Sequence, residues 1–313
     1  NNTAVGFQAL RANTTGTDNV AVGANALDAN TTGANNTAMG KNALGANTTA
    51  SNNTAFGYGA MLVNTTGNSC IAIGGDTLDA NTTGDNNIAI GQAALGANTT
   101  AASNTAIGYT SMQQNTTGTQ NTALGSGSLN ANTTASSNTA VGFNSLLSNT
   151  TGTGNNALGL QTLDANTTAS YNTAMGHAAL SSNTTAADNT AFGALALYAN
   201  TTAAGNTAVG SQALYANTTG AGNTAVGYQS GNAITLGQFN VLVGDNAGSD
   251  TTNLTTGTGN CLIGYHSYTT AATSDYANGI GFGIGAEAGY TTVGQGVSDI
   301  RAAHGNVTWA TVS

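Results

Sequence analysis

Side chains able to do chemistry are few in this chain and stand far apart. His177, His266 and His304 are isolated, with no second His or Cys at ligand spacing, so a metal site lacks its donors. The closest acids are Asp76 and Asp79. Asp28, Asp79 and Asp164 share one place in a recurring pattern, just after a leucine, and read as decoration of a repeat. A P-loop and the Gly-Gly-x-Gly-x-Asp calcium-roll pattern are both missing from the sequence. With no nucleophile–base pair either, the expectation is a non-enzyme without cofactor or metal.

Recognition is the remaining chemistry. The residue after a recurring glycine is Phe7, Tyr58, Tyr109, Phe143, Tyr228, Tyr265 or Phe282, interspersed with Lys41, Gln92 and His177, while Tyr198 and Tyr215 follow leucines. Directed outward, Tyr58, Tyr109, Phe143 and Tyr228 would be platforms for glycan rings. Directed inward, they would pack the strand ends. Thirteen Asn-Thr-Thr turns, opening at Asn13, Asn30, Asn47, Asn64 and onward to Asn217, match the N-glycosylation sequon. Their fixed spacing points instead to a structural ladder of stacked amides.

What must position these residues is a repeat. The phrase Asn2-Thr3-Ala4-Val5-Gly6 returns with its glycine at 6, 23, 40 and so on to 244 in steps of 17, then at 264 and 281. A fixed period decides the fold before any local reading. Thr3-Ala4-Val5 reads as a short strand, Ala9-Leu10 as a second, and Asn13-Thr14-Thr15-Gly16 as a turn. The expected fold is all-β, a parallel β-solenoid of 17-residue coils (β-roll or β-helix). Residues 1–244 form the regular repeats, 245–281 degenerate repeats with a loop insertion near Asp250–Leu254, and 282–313 a cap or tip holding the sole Trp309.

Two files of large apolar residues run down the repeat, one at Val5, Val22, Met39, Phe56 and their successors, the other at Leu10, Leu27, Leu44, Met61 and theirs. Both are expected in the core. Even fully buried, two such side chains contribute about 3–6 kcal/mol, against roughly 17–34 kcal/mol to fix one coil's backbone. So thin an interior predicts burial against other copies, as a homotrimer. Cys70 and Cys261 lie eleven coils apart, roughly 50 Å at strand spacing, which excludes a bridge between them.

Only 5% of residues are charged and Pro is absent, unlike a disordered chain. Arg11, Lys41 and Arg301 are the only basic residues, too few to neutralise nucleic-acid phosphates or an anionic membrane. No uninterrupted apolar run is long enough to cross a bilayer as a helix, so no membrane insertion of that kind is expected. The chain starts in mid-repeat without Met, which reads as a processing boundary.

The iterated Asn-Thr-Ala-Val-Gly phrase with its following Ala-Leu resembles the head repeats of trimeric autotransporter adhesins, and more closely the repeats of phage tail fibres and related extracellular appendages. Asn223-Thr224-Ala225-Val226-Gly227-Tyr228-Gln229 carries that second likeness. The resemblance covers residues 1 to 281 and implies a trimer of β-rolls, although adhesin-head repeats lack the length added by Asn-Thr-Thr. Val297-Ser298-Asp299-Ile300-Arg301 and Trp309-Ala310-Thr311-Val312-Ser313 resemble the junction before an endosialidase-type chaperone. That likeness implies that Ser313 is an end left by cleavage at a Ser-Asp bond.

The functional expectation is a rigid extracellular fibre, of virion tail-fibre or similar type, that spaces and adheres to a host surface through a glycan or protein receptor. A bacterial surface adhesin is the alternative. A third is an ice-binding solenoid, since Thr14 and Thr15 begin regular threonine files.

Overall fold

The computed structural model describes residues 1–250, 252–295, 299–305 and 310–312, the last three as strand backbone only. Trp309 and Ser313, and with them the cleavage-end reading, lie outside the described residues. The chain divides into two compact units, Asn1–Asn155 and Asn156–Ser313. Both are all-β, without a helix among the described residues.

In the first unit, nine short strands from β1 (Thr3–Val5) to β9 (Thr139–Val141) recur at one fixed interval and pair in parallel, each with the next. Register is kept residue for residue, Ala4 on Ala21 and Ala21 on Ala38. Like residues therefore stack over like, at the roughly 4.8 Å spacing of paired strands. The fold is a parallel β-solenoid of 17-residue coils.

Each coil has one strand, where two were expected. The Ala9-Leu10 segment is a turn, and its leucines take left-handed φ values, +54° at Leu10 and +52° at Leu95. An extended strand here would run on outward. The left-handed bend instead folds Leu95 into the interior, where it is fully buried.

The second correction concerns the file beginning Val5, Val22, Met39, Phe56. It is not core. Strand side chains alternate, and the inward place belongs to Ala21, Ala38, Ala55 and their successors, which are buried. The larger neighbour must then face out. Phe56 is 51% exposed and Leu124 46%. The interior holds one large residue per coil, Leu27, Leu44, Met61, Leu78 and so on, packed among alanines and asparagines.

Those asparagines supply the order. Asn104 and Asn115 both donate Nδ2 to the Gly118 carbonyl, at 2.8 and 3.0 Å. Asn115 also donates to Asn98 Oδ1 in the coil before, at 3.1 Å, while the Asn121 backbone N–H donates to Asn104 Oδ1 at 3.0 Å. Two amide ladders, one of them running through Asn13, Asn30, Asn47 and Asn64, thus meet at one carbonyl in coil after coil of the first unit. The Asn30, Asn47 and Asn64 side chains are fully buried, so a sugar on these sequons is incompatible with the folded coil.

Cys70 replaces one ladder asparagine and takes over both its bonds. Its Sγ donates to the Gly84 carbonyl (3.3 Å) and accepts from the Asn87 N–H (3.5 Å). Burial pushes its thiol pKa up to about 11, so the thiolate needed for reaction is scarce at neutral pH. Cys70 should resist a maleimide near neutral pH until the chain is unfolded. Cys70→Asn, which restores two stronger bonds, should raise stability by about 1 kcal/mol, read as a higher denaturant midpoint.

In the second unit β10 (Asn156–Leu158) begins the same series, which runs to β14 (Thr224–Val226), β15 (Val241–Val243), β16 (Cys261–Ile263) and β18 (Asn278–Phe282). Between β15 and β16 the step lengthens, so that Val241 pairs with Cys261. The core is exchanged in the same stretch. Leu242 and Leu262 stand where alanine stood, and Gly231 and Gly248 where leucine stood. A Cβ on Gly231 would come within 2.6 Å of Leu242 Cδ1, so the volume has moved from one wall of the coil to the other. Ile234 likewise ends the Asn13 ladder, and Asn217 Oδ1 is left buried without a partner.

The repeat then closes. A short pair, β17 (Tyr268–Thr269) with β19 (Gly285–Ala286), adds a second small sheet. β20 (Tyr290–Gln295) pairs in parallel with β18 after a shortened step that sets Thr291 against Asn278. β21 (Asp299–Ala303) and β22 (Ala310–Val312) continue antiparallel. Arg301 fixes this end, with its guanidinium 2.6 Å from Glu287 and lying over the Tyr290 ring.

Candidate functional site

Two outward surfaces follow from the coil geometry. The first is the outer face of the sheet. In the first unit it carries Val5, Val22, Met39, Phe56, Ile73, Ile90, Ile107, Leu124 and Val141 in one file, one coil apart. In the second unit Leu158, Met175, Phe192, Val209, Val226, Val243, Ile263 and Ile280 follow the same pattern. Beside this file the other outward strand position holds Thr, Val, Ile, Asn or Cys261, and neither position ever holds a charge. A row is three residues of strand by one strand spacing, about 48 Å². Taken unit by unit, nine rows come to roughly 430 Å² and eight rows to roughly 380 Å² of strand surface, part of it threonine. Each is the size of the largest exposed patch on an ordinary monomer, which is often functional.

The glycine after each file residue shapes the edge of this face. Gly91 has φ +124°, and a Cβ there would lie 2.5 Å from the Gly108 carbonyl oxygen of the next coil. Only glycine permits that close turn.

The second surface lies just past that glycine. Tyr58, Tyr109 and Phe143 all point out, 57%, 59% and 52% exposed. The structure does not bring these three together. Tyr58 and Tyr109 are three coils apart, with Gln92 and Ser126 on either side of Tyr109 in the file. Lys41 Nζ sits 6.0 Å from the Tyr58 ring centroid, the outer limit for a cation–π contact.

Tyr228 differs, because Asp245, Tyr265 and Phe282 follow it in successive coils. Tyr265 and Phe282 stack at 5.1 Å and 17°, and His266 leans on Tyr265 at 4.0 Å. Asn246 Nδ2 donates to Asp245 Oδ1 at 2.6 Å, and His266 Nδ1 lies 3.1 Å from Asp250 Oδ1. Tyr198 and Tyr215 form a further stack at 5.3 Å.

Sequence reasoning missed Phe239 and Tyr276. Both are exposed, and both adopt φ +55° at a corner otherwise held mostly by Asn, Ser, Asp or Gly. A Cβ on Gly222 would touch the Phe239 ring, and one on Gly259 the Tyr276 ring. The signal was present as a glycine one coil before each aromatic, and the ring covers backbone that glycine leaves bare.

The other candidates stay dispersed. His177 and His304 are exposed, and among the described residues no group of three His, Cys, Asp or Glu could hold a metal. Asp76 and Asp79 line an open cleft with Gln113 and Gln114, where burial raises the Asp79 carboxyl above the usual range. No protein-family model, curated protein or solved structure matches this chain.

Proposed function

We propose that this chain is a structural fibre segment, a homotrimer whose copies meet along the apolar file and form a stiff extracellular spacer of tail-fibre or appendage type. The outward apolar file, present in both units, carries the reading. A second copy of the chain presents the same file at the same coil spacing, so rows of like side chains can be set level with one another, as closed cyclic symmetry requires. Three files turned toward one axis place three large side chains in every layer. That supplies the thick core which one chain, with a single buried leucine per coil, lacks. The interlocked ladders and sparse charge suit a part that holds position rather than one that turns over a substrate.

Phe56→Glu with Ile73→Glu tests it. Both side chains face outward, so the coil should keep its circular dichroism while the assembly dissociates, because each layer would bury three carboxylates. An assembly of unchanged mass would remove the file from the interface and the proposal with it.

Ice binding draws on a different surface. Thr15, Thr32, Thr49 and Thr66 form an exposed file. Their neighbours Thr31, Thr48 and Thr65 donate Oγ1 to the carbonyl one coil on, leaving one free column where a flat array needs two. A thermal-hysteresis assay separates the two readings.

A further inference from the structure

We propose that Tyr228, Asp245, Tyr265 and Phe282, with Gln229 and Asn246 beside them, bind a neutral saccharide chain laid along the file. Parallel pairing of Val226, Val243, Ile263 and Ile280 fixes these residues in four successive coils. The three aromatic side chains are 50%, 47% and 55% exposed, so about half of each remains open to a ligand. Tyr228 and Tyr265 stand two coils apart, about 9.6 Å. A sugar ring at the height of Asp245 would rest against the open flanks of both, with the next sugar reaching Phe282.

Polar groups occur at the same level. Asn246 holds one carboxylate oxygen of Asp245, which leaves the other to accept from a sugar hydroxyl. The Gln229 amide is fixed by Gln212 at 2.6 Å. Apolar faces alternating with hydrogen-bonding groups is the pattern of a small-molecule site that reads orientation as well as bulk. Charge selects the ligand class. Asp245 and Asp250 lie here without Lys or Arg nearby in sequence, and His266 is paired with Asp250. An anionic ligand is therefore disfavoured and a neutral polyol is not. The file is distinct from the association face, since the same position elsewhere holds Lys41, Gln92 and His177, which an apolar interface would exclude.

The test titrates the whole chain with tetrasaccharides of glucose, galactose, mannose and N-acetylglucosamine by calorimetry. At least one should bind. Tyr265→Ala and Phe282→Ala should each weaken it about tenfold or more, consistent with loss of a stacked ring. Asp245→Asn should weaken it several-fold, and Tyr109→Ala should leave it unchanged. Should an alanine variant lower the thermal midpoint, Tyr265→Phe, which keeps the stack, is read against Asp245→Asn. Failure of all four sugars to bind, or an equal loss in Tyr109→Ala, overturns the proposal. None of these outcomes bears on the mass of the assembly, so the fibre reading stands or falls separately.

Discussion

Gly91→Ala should destabilise the first unit by about 2–6 kcal/mol, a left-handed backbone and an overpacked contact each costing about 1–3 kcal/mol. The obstacle is the Gly108 carbonyl, a backbone group held by its own coil, so no side chain can swing aside. Gly75→Ala is the control. It lies one residue past the equivalent glycine of the preceding coil, its φ is not positive, and a Cβ there meets nothing within 4 Å. Hydrogen exchange should show faster opening of the strands around Gly91 and unchanged protection in the control. Equal protection in both would mean that the coils do not approach as closely as described.

That contrast also shows what could be read from the residues. Period predicted stacking, and in a stack the residues Gly23 and Gly40 have backbone neighbours in the coils before and after, which is why a Cβ has no room there. Direction was harder. Val5 and Leu10 are equally apolar, and so short a strand gives too few alternations to say which face is inside. Alanine holds the answer, since a narrow coil has room inward only for Ala21 and not for Val22. Nor did the pattern reveal that Leu10 bends left-handed, because leucine rarely does so and closure of the coil imposes it. The aromatic positions and their alignment after Gly227, Gly244, Gly264 and Gly281 were legible, but not their direction, which short strand ends leave open and the coil sets outward for Tyr228, Tyr265 and Phe282.

Asn115→Leu is expected to cost about 2–5 kcal/mol despite similar size and greater hydrophobicity. It strands Asn98 Oδ1 and leaves one of the two Asn132 Nδ2 hydrogens without its acceptor, the other staying on the Ala135 carbonyl, two buried losses at about 1–3 kcal/mol each. The Gly118 carbonyl keeps its second donor, Asn104, which sets the upper bound. The chain performs a version of this experiment at Asn217, whose Oδ1 is orphaned where Ile234 follows. There the loss falls once, at the end of a ladder. In mid-ladder it falls on both sides. Thr117→Ala, on the exposed file of the same turn, should change stability by less than about 0.5 kcal/mol. Denaturant midpoints of the three proteins give the comparison, and an Asn115→Leu midpoint equal to that of Thr117→Ala would mean that the ladder carries no stability.

The proposed association of copies along the apolar file is tested most directly by sedimentation equilibrium of the unsubstituted chain at micromolar concentration. A particle of three times the 30.5 kDa chain mass is the expected result. A single 30.5 kDa species, stable and soluble with that file bare to water, would contradict it.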